Sequence, residues 1–571
     1  MLEFLIGRAC TGKTYDIVKR VTEDSKNGKV IFIVPEQFSF ESERAVIKYE
    51  NAVLDNIRVL SFSRLFDDVL DFSAVGSISC VSDFEKIILL KKALQACADD
   101  LVIFSKYTSY NDFIINLGDT IKDLKFAAVT PEQLITAAED IGGTCSAKLR
   151  DIALVMSTYN ALLHNKYIDP SDRLTKLAEL LVDCDYFKDT TVYFDSFTGF
   201  TGQQYKIIEK IFEQTDKVTF SFCTDDINNT NISVFYNINN SVKRIQQIAK
   251  SRGISEYSVI KKSTAYYSND AMQKVEHFLA KNQATPDALI GGSLKIISCK
   301  NKREEALAAA NIVAKEVAEN GYRFKDFIVV ARNADDYANL FSAQCVNNNI
   351  SCFMDKSVAL TQTPLYLYLD KLFETLSSFS TDAILAFLKI GLTNYSLNEI
   401  SELEDYTFIW DIKPADWATN WEMSVKGLRT DEDNEYDTAK LEQINRTRSS
   451  IVEVLSEFKN DFHGSPKSMA KAIYNHLVKY SVDKNLLTLC DYFENNGNQY
   501  YASILKQSWD LLISILNSMV RVLDDNTNSA EFIDLFRIAA SNAKISNIPQ
   551  MLDEVTFGAA DRIRPSKPKI S

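Results

Sequence analysis

The sequence predicts an α/β protein with two cores of parallel sheet flanked by helices, each core interrupted by a mainly helical insertion. A strand candidate, a glycine-containing loop and a helix candidate open the chain, and strand-like runs return near residues 191, 217, 294 and 327. Two long stretches between these runs have the apolar periodicity of helices. The predicted division is 1–80 plus 188–285 for the first core, 81–187 for its insertion, 286–362 plus 550–571 for a truncated second core, and 363–549 for the second insertion.

Length and composition place the chain among globular proteins. Its 571 residues exceed what one hydrophobic core usually organises, and 46% hydrophobic with 25% charged residues is an ordinary soluble balance. No segment approaches the roughly 18 uninterrupted apolar residues of a spanning helix, so we expect no membrane partner and a cytoplasmic location. The net charge of −14 predicts that any contact with nucleic acid is a local groove, because phosphate binding draws on clustered lysine and arginine. The ten cysteines are scattered without a CxxC pair, which is typical of reduced, buried thiols.

The opening loop indicates a phosphate-binding site. Leu2 to Ile6 form an apolar strand candidate that leads into GRACTGKT, and Ile17, Val18 and Val21 have helical spacing. The pattern GxxxxGK[ST] needs this order of strand, loop and helix, because its backbone amides turn toward a phosphate at the positive end of the helix. The alternative is a glycine-rich turn with an ordinary surface lysine. The predicted nucleotide ligands are Gly7, Arg8, Ala9, Cys10, Thr11, Gly12, Lys13 and Thr14.

A loop of this type implies ATP with Mg²⁺. Lys13 would reach the β and γ phosphates, and Thr14 would offer its hydroxyl to the metal ion. Asp195, directly after the β-rich run 192–194, is the predicted acidic partner of the metal; the alternative is an aspartate that caps the next turn. Ser196 stands where such hydrolases usually carry a glutamate that activates water. We therefore expect slow hydrolysis or none, and we assign no catalytic residue.

Further elements of the first core follow from strand composition and helix caps. Strands are predicted at 29–35 and 57–61, and again at 191–195 and 217–225. Helices are predicted across 81–187. Their start signals are Ser82 with Glu85, and Thr130 with Pro131 and Gln133.

The second core is predicted from three consecutive patterns. KIISC, in the run that begins at Leu294, predicts a strand; REEALAAANIVAKEVAENG predicts a helix closed by Gly321; and FIVVARN predicts a strand with Arg332 near its end. Apolar stripes beyond Pro364 predict core helices. The final run EVTFGAADRIRPSKPKIS returns to strand composition and stops, so we expect a truncated chain.

This plan and its motif order resemble the superfamily 1 DNA helicases, in which ATP binds between two RecA-like cores. More specifically, the chain is similar to the N-terminal half of the AddB family, which forms one of the two subunits of bacterial AddAB helicase-nucleases. Three stretches carry the resemblance: GRACTGKT with IFIVPEQFSFESERAV; VYFDSFTGFTGQQ; and AFLKIGLTNYSLNEISELEDYTFIWDIKPADW at 386–417. The third stretch has no generic helicase explanation and is the most specific of them.

The resemblance covers essentially all 571 residues and implies two RecA-like P-loop cores. Lys13 and Thr14 match the first helicase motif, Asp195 matches the acidic second motif, and VTFSFCTDD lacks the glutamine of the third. Arg332 stands where these proteins often place an arginine that contacts the γ phosphate; an arginine at an exposed strand end is the alternative. In the family, a C-terminal half carries a nuclease domain and an iron–sulfur cluster. We expect the nuclease and the cluster only in that half, so Cys10 is not expected to be a cluster ligand.

The resemblance also implies partners. It implies an AddA-like motor subunit in a heterodimer, together with single-stranded DNA and duplex ends. SFSRLFDDVL resembles the segment through which helicases touch single-stranded DNA, so Ser61, Phe62, Ser63 and Arg64 are the predicted DNA contacts. An amphipathic core helix is the alternative there. The leading hypothesis is a nucleotide-binding, DNA-handling subunit of a complex that processes double-strand breaks for recombinational repair; the alternatives are an autonomous helicase or translocase, and a scaffold with a vestigial pocket.

Overall fold

The chain folds into two compact units, each with its own parallel sheet. The computed structural model describes residues 1–49, 54–73, 80–108, 110–163, 167–228, 234–267, 270–281, 294–354, 357–428, 435–546, 553–560, 563 and 569–571. The first unit comprises Met1–Val81, Ala96–Thr108 and Ile115–Asn301. The second comprises Ser82–Gln95, Ser109–Ile114 and Lys302–Ser571.

The first unit contains a six-stranded sheet in the order β3-β2-β4-β5-β1-β6. All neighbouring strands are parallel, so their carboxyl ends lie at one edge. This sheet confirms the predicted α/β class. The strands are β1 Leu2–Gly7, β2 Lys29–Ile33, β3 Ile57–Leu60, β4 Thr190–Phe194, β5 Lys217–Cys223 and β6 Tyr257–Lys261.

Helices follow or separate these strands. Before residue 82 lie α1 Lys13–Asp24, α2 Ser39–Ile47 and α3 Phe62–Phe72. The predicted helical stretch contains α4 Asp83–Ala96, α5 Asn111–Phe126, α6 Pro131–Ile141, α7 Gly143–Leu163 and α8 Arg173–Leu180. After it come α9 Gly202–Gln214, α10 Tyr236–Ser251 and α11 Asp270–Lys281.

The two faces of the six-stranded sheet bury different side chains because successive residues of a strand point to opposite sides. On one face, Phe194 and Phe220 stack with ring centroids 4.5 Å apart in a core that also contains the buried face of α9. On the other face, Leu5 packs in a core with Ile17 and Val21 of α1. Burial of these side chains fixes α1 against β1, which sets the position of the loop between them.

Two predicted helix starts have the expected hydrogen bonds. The Thr130 hydroxyl accepts from the Gln133 amide while the Gln133 side chain accepts from the Thr130 amide, a capping box with Pro131 in the first turn. The Ser82 amide donates to the Glu85 carboxylate at 2.7 Å, and the Glu85 amide donates back to the Ser82 hydroxyl. Both predictions are confirmed.

The second unit combines a small sheet with many helices. Its parallel sheet has the order β7-β11-β8, and β9 pairs with β10 in an antiparallel ribbon. The strands are β7 Ile328–Ala331, β8 Cys352–Met354, β9 Ser357–Ala359, β10 Lys544–Ser546 and β11 Val555–Ala559. The helices are α12 Lys302–Asn320, α13 Ala334–Asn347, α14 Pro364–Ser378, α15 Thr381–Leu388, α16 Leu397–Ile409, α17 Glu435–Asp461, α18 Pro466–Lys479, α19 Val482–Asn495, α20 Gln499–Val522 and α21 Ser529–Asn542.

One predicted strand is wrong. The KIISC run, residues 295–299, has no strand or helix, and Ile296 is 91% exposed. Apolar alternation becomes a strand only when a neighbouring edge accepts its hydrogen bonds, and within the described residues this run pairs with no strand. The next predictions are confirmed, since α12 ends before Gly321 and β7 precedes Arg332.

The predicted domain boundaries at 285–286 and 549–550 lie outside the described residues. None of the described helices has both the length and the apolar character needed to cross a membrane.

Candidate nucleotide-binding site

The predicted phosphate loop joins the end of β1 to the start of α1. β1 ends at Gly7 and α1 begins at Lys13, so the predicted order of strand, loop and helix is confirmed. Cys10 and Gly12 have positive φ angles of 56° and 75°, which turn the backbone tightly. A Cβ at Gly7 would lie 2.6 Å from the Thr11 hydroxyl, a distance that leaves no room for a side chain. Gly7 therefore allows the close approach on which the loop depends.

The Lys13 ammonium group lies inside the loop. Its Nζ donates to the backbone carbonyl of Arg8 at 2.7 Å and lies 3.4 Å from the Thr11 hydroxyl. The Thr11 hydroxyl donates to the same carbonyl at 2.9 Å. The loop thus holds a positive charge next to the amides at the start of α1.

The start of α1 supplies backbone donors. The first helical hydrogen bond runs from the Asp16 amide to the Gly12 carbonyl at 3.0 Å, so the amides of Lys13, Thr14 and Tyr15 precede it. Gly12, at the N-cap, offers no side-chain cap. Uncapped amides and the helix dipole favour an anion at this position. Thr14 is exposed in the first turn.

Asp195 lies where a metal-binding carboxylate is predicted. It directly follows β4 at the carboxyl edge of the sheet and is 3% exposed. Its amide donates to the Ile33 carbonyl, and the hydroxyl of Ser196 donates to its carboxylate at 3.2 Å. One strand, β5, separates β4 from β1, which puts the two strands roughly 10 Å apart. Mg²⁺ is usually held by one or two side chains together with waters and phosphate oxygens, so Thr14 and Asp195 fit the ion's ligand chemistry.

The end of β5 lies directly beside the loop. Thr224 forms a backbone bridge with Gly7, and its hydroxyl donates to the Asn239 side chain at 2.8 Å in the buried interior. This is the position of the predicted third motif. A short neutral side chain stands there, already engaged by its neighbour.

A segment that was not predicted from the sequence runs along the loop. Residues 262–267, here called the strap, follow the unpredicted strand β6, and the Tyr266 amide donates to the Cys10 carbonyl at 2.8 Å. The Tyr267 hydroxyl lies 3.4 Å from the Ala9 carbonyl. The Tyr266 ring lies 3.8 Å from where a Cβ on Gly12 would be. The signals available in the sequence were the β-prone residues 257–260 and the paired tyrosines.

Ionic contacts connect the strap to α1. The Lys262 ammonium lies 3.2 Å from the Asp16 carboxylate, which also accepts from Arg20 at 3.2 Å. Arg20 in turn contacts Glu3 of β1 at 2.5 Å. This chain of alternating charges joins β1, α1 and the strap, and it orients the helix that carries Lys13.

Arg8 points from the loop toward α11. Its guanidinium lies 3.4 Å from the Glu276 carboxylate and 3.4 Å from Nδ1 of His277. Sequence analysis placed Arg8 in the loop but did not identify these two partners, because they are distant in sequence.

The predicted γ-phosphate arginine belongs to the second unit. Arg332 is exposed directly after β7 and lines a cavity of about 450 Å³. The cavity lies among the carboxyl-terminal half of β7 and the first turns of α12 and α13, where Lys302 pairs with Asp336 at 2.7 Å. Its role as a nucleotide ligand stays a prediction.

The four predicted DNA contacts divide into two buried and two exposed residues. Ser61 is the N-cap of α3 and accepts from the Arg64 amide, and Phe62 is 5% exposed among aromatic rings. These contacts fit the alternative of an amphipathic core helix for the first two residues. Ser63 and Arg64 are exposed, and Arg64 pairs with Glu43 at 2.6 Å.

Comparisons with known proteins agree with the site. The family model described as "ADDB, N-terminal" matches residues 4–276, which include the loop, Asp195 and the strap. The B subunit of the ATP-dependent helicase/deoxyribonuclease from Thermoanaerobacter sp. (strain X514) is 28% identical over 589 residues, covering 100% of this chain and 51% of the relative. Its counterpart in Clostridium tetani (strain Massachusetts / E88) is 29% identical, covering 99% and 51%.

A third relative, from Caldanaerobacter subterraneus subsp. tengcongensis, carries the same name and is 29% identical, with 100% of this chain and 50% of the relative covered. The chain therefore spans about half the length of the curated relatives it matches. Through residues 4–276 the chain belongs to the ADDB family, and along its whole length it is similar to the B subunits of ATP-dependent helicase/deoxyribonucleases.

Proposed function

We propose that this chain is the nucleotide-binding, DNA-handling part of a helicase-nuclease complex that acts on double-strand DNA breaks in recombinational repair. The observation that carries the proposal is the loop between β1 and α1, where Lys13 lies beside uncapped helix amides. The ligand is ATP with Mg²⁺, held by residues 7–14 with Asp195 in the metal's outer or inner shell. Bound Mg²⁺ would neutralise phosphate charge.

The proposal includes slow or absent hydrolysis by this chain. Ser196 occupies the place after Asp195 where a base would be needed, and its hydroxyl is bonded to that carboxylate. Thr224, beside the loop, offers a hydroxyl already bonded to Asn239. Neither side chain abstracts a proton from water at neutral pH. The chain's own residues therefore bind and orient the nucleotide, and the motor activity belongs to an AddA-like partner.

The two sheets are proposed to be RecA-like cores, with Arg332 contributing to the nucleotide from the second. The DNA proposal rests on the exposed Ser63 and Arg64 at the start of α3, where a phosphate would compete with Glu43 for the guanidinium. A cytoplasmic heterodimer that handles single strands and duplex ends follows from the names of the relatives.

Turnover and partner binding test this function together. The chain is co-purified with a candidate motor subunit, and ATP hydrolysis is measured with and without single-stranded DNA, alone and in the complex. The proposal expects retention by the motor subunit and negligible DNA-stimulated turnover by the chain alone. Brisk DNA-stimulated turnover by the isolated chain would favour an autonomous helicase. If Lys13→Ala changed neither nucleotide binding nor DNA processing by the complex, the pocket would be vestigial.

A further inference from the structure

Arg8 makes two kinds of contact that bear on nucleotide binding. Through its backbone carbonyl it accepts from the Lys13 ammonium at 2.7 Å. Through its guanidinium it contacts Glu276 and His277 of α11, each at 3.4 Å. One residue of the phosphate loop therefore holds both the lysine that would bind phosphate and the helix that borders the loop.

The contact between Arg8 and α11 is partly shielded from water. The Arg8 and Glu276 side chains are 22% and 18% exposed, so the ion pair is neither fully hydrated nor fully buried. Pairs of this kind contribute modestly, usually about 1 kcal/mol or less. A ligand with a stronger claim on Arg8 can therefore break the contact.

Tyr267 of the strap adds a neighbouring observation. Its hydroxyl lies 3.4 Å from the Ala9 carbonyl, and burial, followed by the nearby Glu276 carboxylate, raises the pKa of Tyr267 to about 12. The phenol is therefore neutral at cellular pH. The Glu276 carboxylate thus stands close to the loop from two directions, facing Arg8 and Tyr267.

A nucleoside triphosphate changes the balance at this point. It brings several negative charges, and arginine binds phosphate oxygens bidentately, more strongly than it binds one carboxylate at 3.4 Å. Lys13, in binding phosphate, would leave the Arg8 carbonyl. Both changes act on the same residue, and Glu276 would face the incoming phosphates as a like charge.

We propose that the contact of Arg8 with Glu276 and His277 is a nucleotide-sensitive latch, which a bound triphosphate opens by drawing Arg8 away from α11. The inference rests on the proposed nucleotide binding and deepens it. α11 is the last described helix before Lys302 in chain order. An open latch therefore transmits the nucleotide state to the chain segment that leads away from the first unit.

Competition has a reciprocal consequence for affinity. If Glu276 competes with the triphosphate for Arg8, then Glu276→Gln raises the affinity for Mg-ATP, by about three- to fivefold for a partly exposed pair. Glu179→Gln is the matched control, because Glu179 pairs with Lys176 within α8 and is 61% exposed. It should leave the affinity unchanged. Reduced affinity in Glu276→Gln would contradict the competition.

Hydrogen exchange of the full chain, with and without Mg-ATP, tests the opening itself. The latch expects slower exchange in residues 7–16 and faster exchange in 270–281 when Mg-ATP is added. In Arg8→Ala, α11 should exchange fast already and respond no further to a saturating nucleotide concentration. Protection of the loop with unchanged or slowed exchange in α11 would overturn the latch and leave nucleotide binding intact. No protection of the loop at millimolar Mg-ATP would remove the proposed function and the latch together.

Discussion

The Nζ atom of Lys13 lies 2.7 Å from the backbone carbonyl oxygen of Arg8, so the loop supplies a provisional acceptor for its own lysine. A charged donor without an acceptor would carry a desolvation penalty, and this contact avoids it. A phosphate must displace the carbonyl to engage the ammonium. The loop is thereby organised for binding before the ligand arrives, which lowers the entropy lost on binding.

Arg448 is predicted to stabilise the distinctive segment at 386–421. It is 3% exposed, and its guanidinium donates to the Trp417 carbonyl at 2.5 Å and to the Asn420 side chain at 2.8 Å. Burial lowers the pKa of Arg448. Arg448→Ala removes these donors and leaves a cavity, so we expect the second unit to lose about 3 kcal/mol of stability.

Urea unfolding followed by tryptophan fluorescence measures this loss, because all four tryptophans belong to the second unit. Arg446→Ala, on the same helix α17 but 78% exposed, is the control and should change stability by less than about 0.5 kcal/mol. Equal midpoints for the two variants would show that the buried guanidinium contributes nothing.

Gly202 is predicted to tolerate no side chain. A Cβ there would lie 2.2 Å from the backbone oxygen of Ala127, and backbone cannot move aside as a flexible side chain can. We expect Gly202→Ala to cost about 2 to 3 kcal/mol or more through forced shifts in the first unit. Gly28→Ala, whose nearest neighbour is the Asp189 carbonyl at 4.0 Å, serves as control. Thermal unfolding should separate the two, and similar midpoints would contradict the close approach.

His476 should make the second unit sensitive to acid. Burial lowers the pKa of His476 from 6.5 to about 4, and its Nε2 lies 3.0 Å from the Tyr368 hydroxyl. The unfolded chain takes up the proton first, so stability falls as pH decreases from about 6.5 to about 4. The full contribution is about 3 kcal/mol.

The pH dependence is measured by urea unfolding at several pH values, comparing His476→Gln with the exposed control His463→Gln. The first variant should lose part of the slope between pH 6.5 and 4, and the second should keep it. Identical slopes for wild type and His476→Gln would show that another group is responsible.

Asp195 should couple magnesium to nucleotide binding. In the wild type we expect Mg²⁺ to raise the affinity for ATP, and Asp195→Asn to reduce that gain by about tenfold, as the loss of one charged ligand interaction implies. Asp216→Asn, exposed before the opposite end of β5, is the control. Titrations with and without EDTA would contradict the metal role if Asp195→Asn kept the full magnesium effect.

Local patterns predicted much of this molecule. The sequence predicted β1, α1 and the loop between them because glycine positions, apolar alternation and helix caps are encoded within a few residues. The strand β6 and the strap were missed, since residues 257–261 alternate between half-exposed and exposed, as at an edge strand. The KIISC run failed for the opposite reason: its composition favours a strand, but no described strand pairs with it.

Contacts between distant residues were beyond prediction. The pairing of Arg8 with Glu276 spans 268 positions, and the clash at Gly202 depends on the path of the chain at Ala127. Phe62 shows the limit of a motif: its position suggested base stacking, whereas the aromatic core of the sheet buries it. Ser63 and Arg64 remain the predicted DNA contacts of that segment.

Isothermal titration of the full chain with Mg-ATP, compared between wild type, Lys13→Ala and Lys19→Ala, tests the central claim most directly. Lys19 lies on the same helix and pairs only weakly, at 3.8 Å, with Glu23, so its loss should not matter. We predict saturable binding by wild type and Lys19→Ala, and an affinity lower by roughly 10- to 100-fold in Lys13→Ala, the effect of one charged hydrogen-bond donor. Equal binding by all three proteins, or no binding by wild type, would contradict a triphosphate site in this loop.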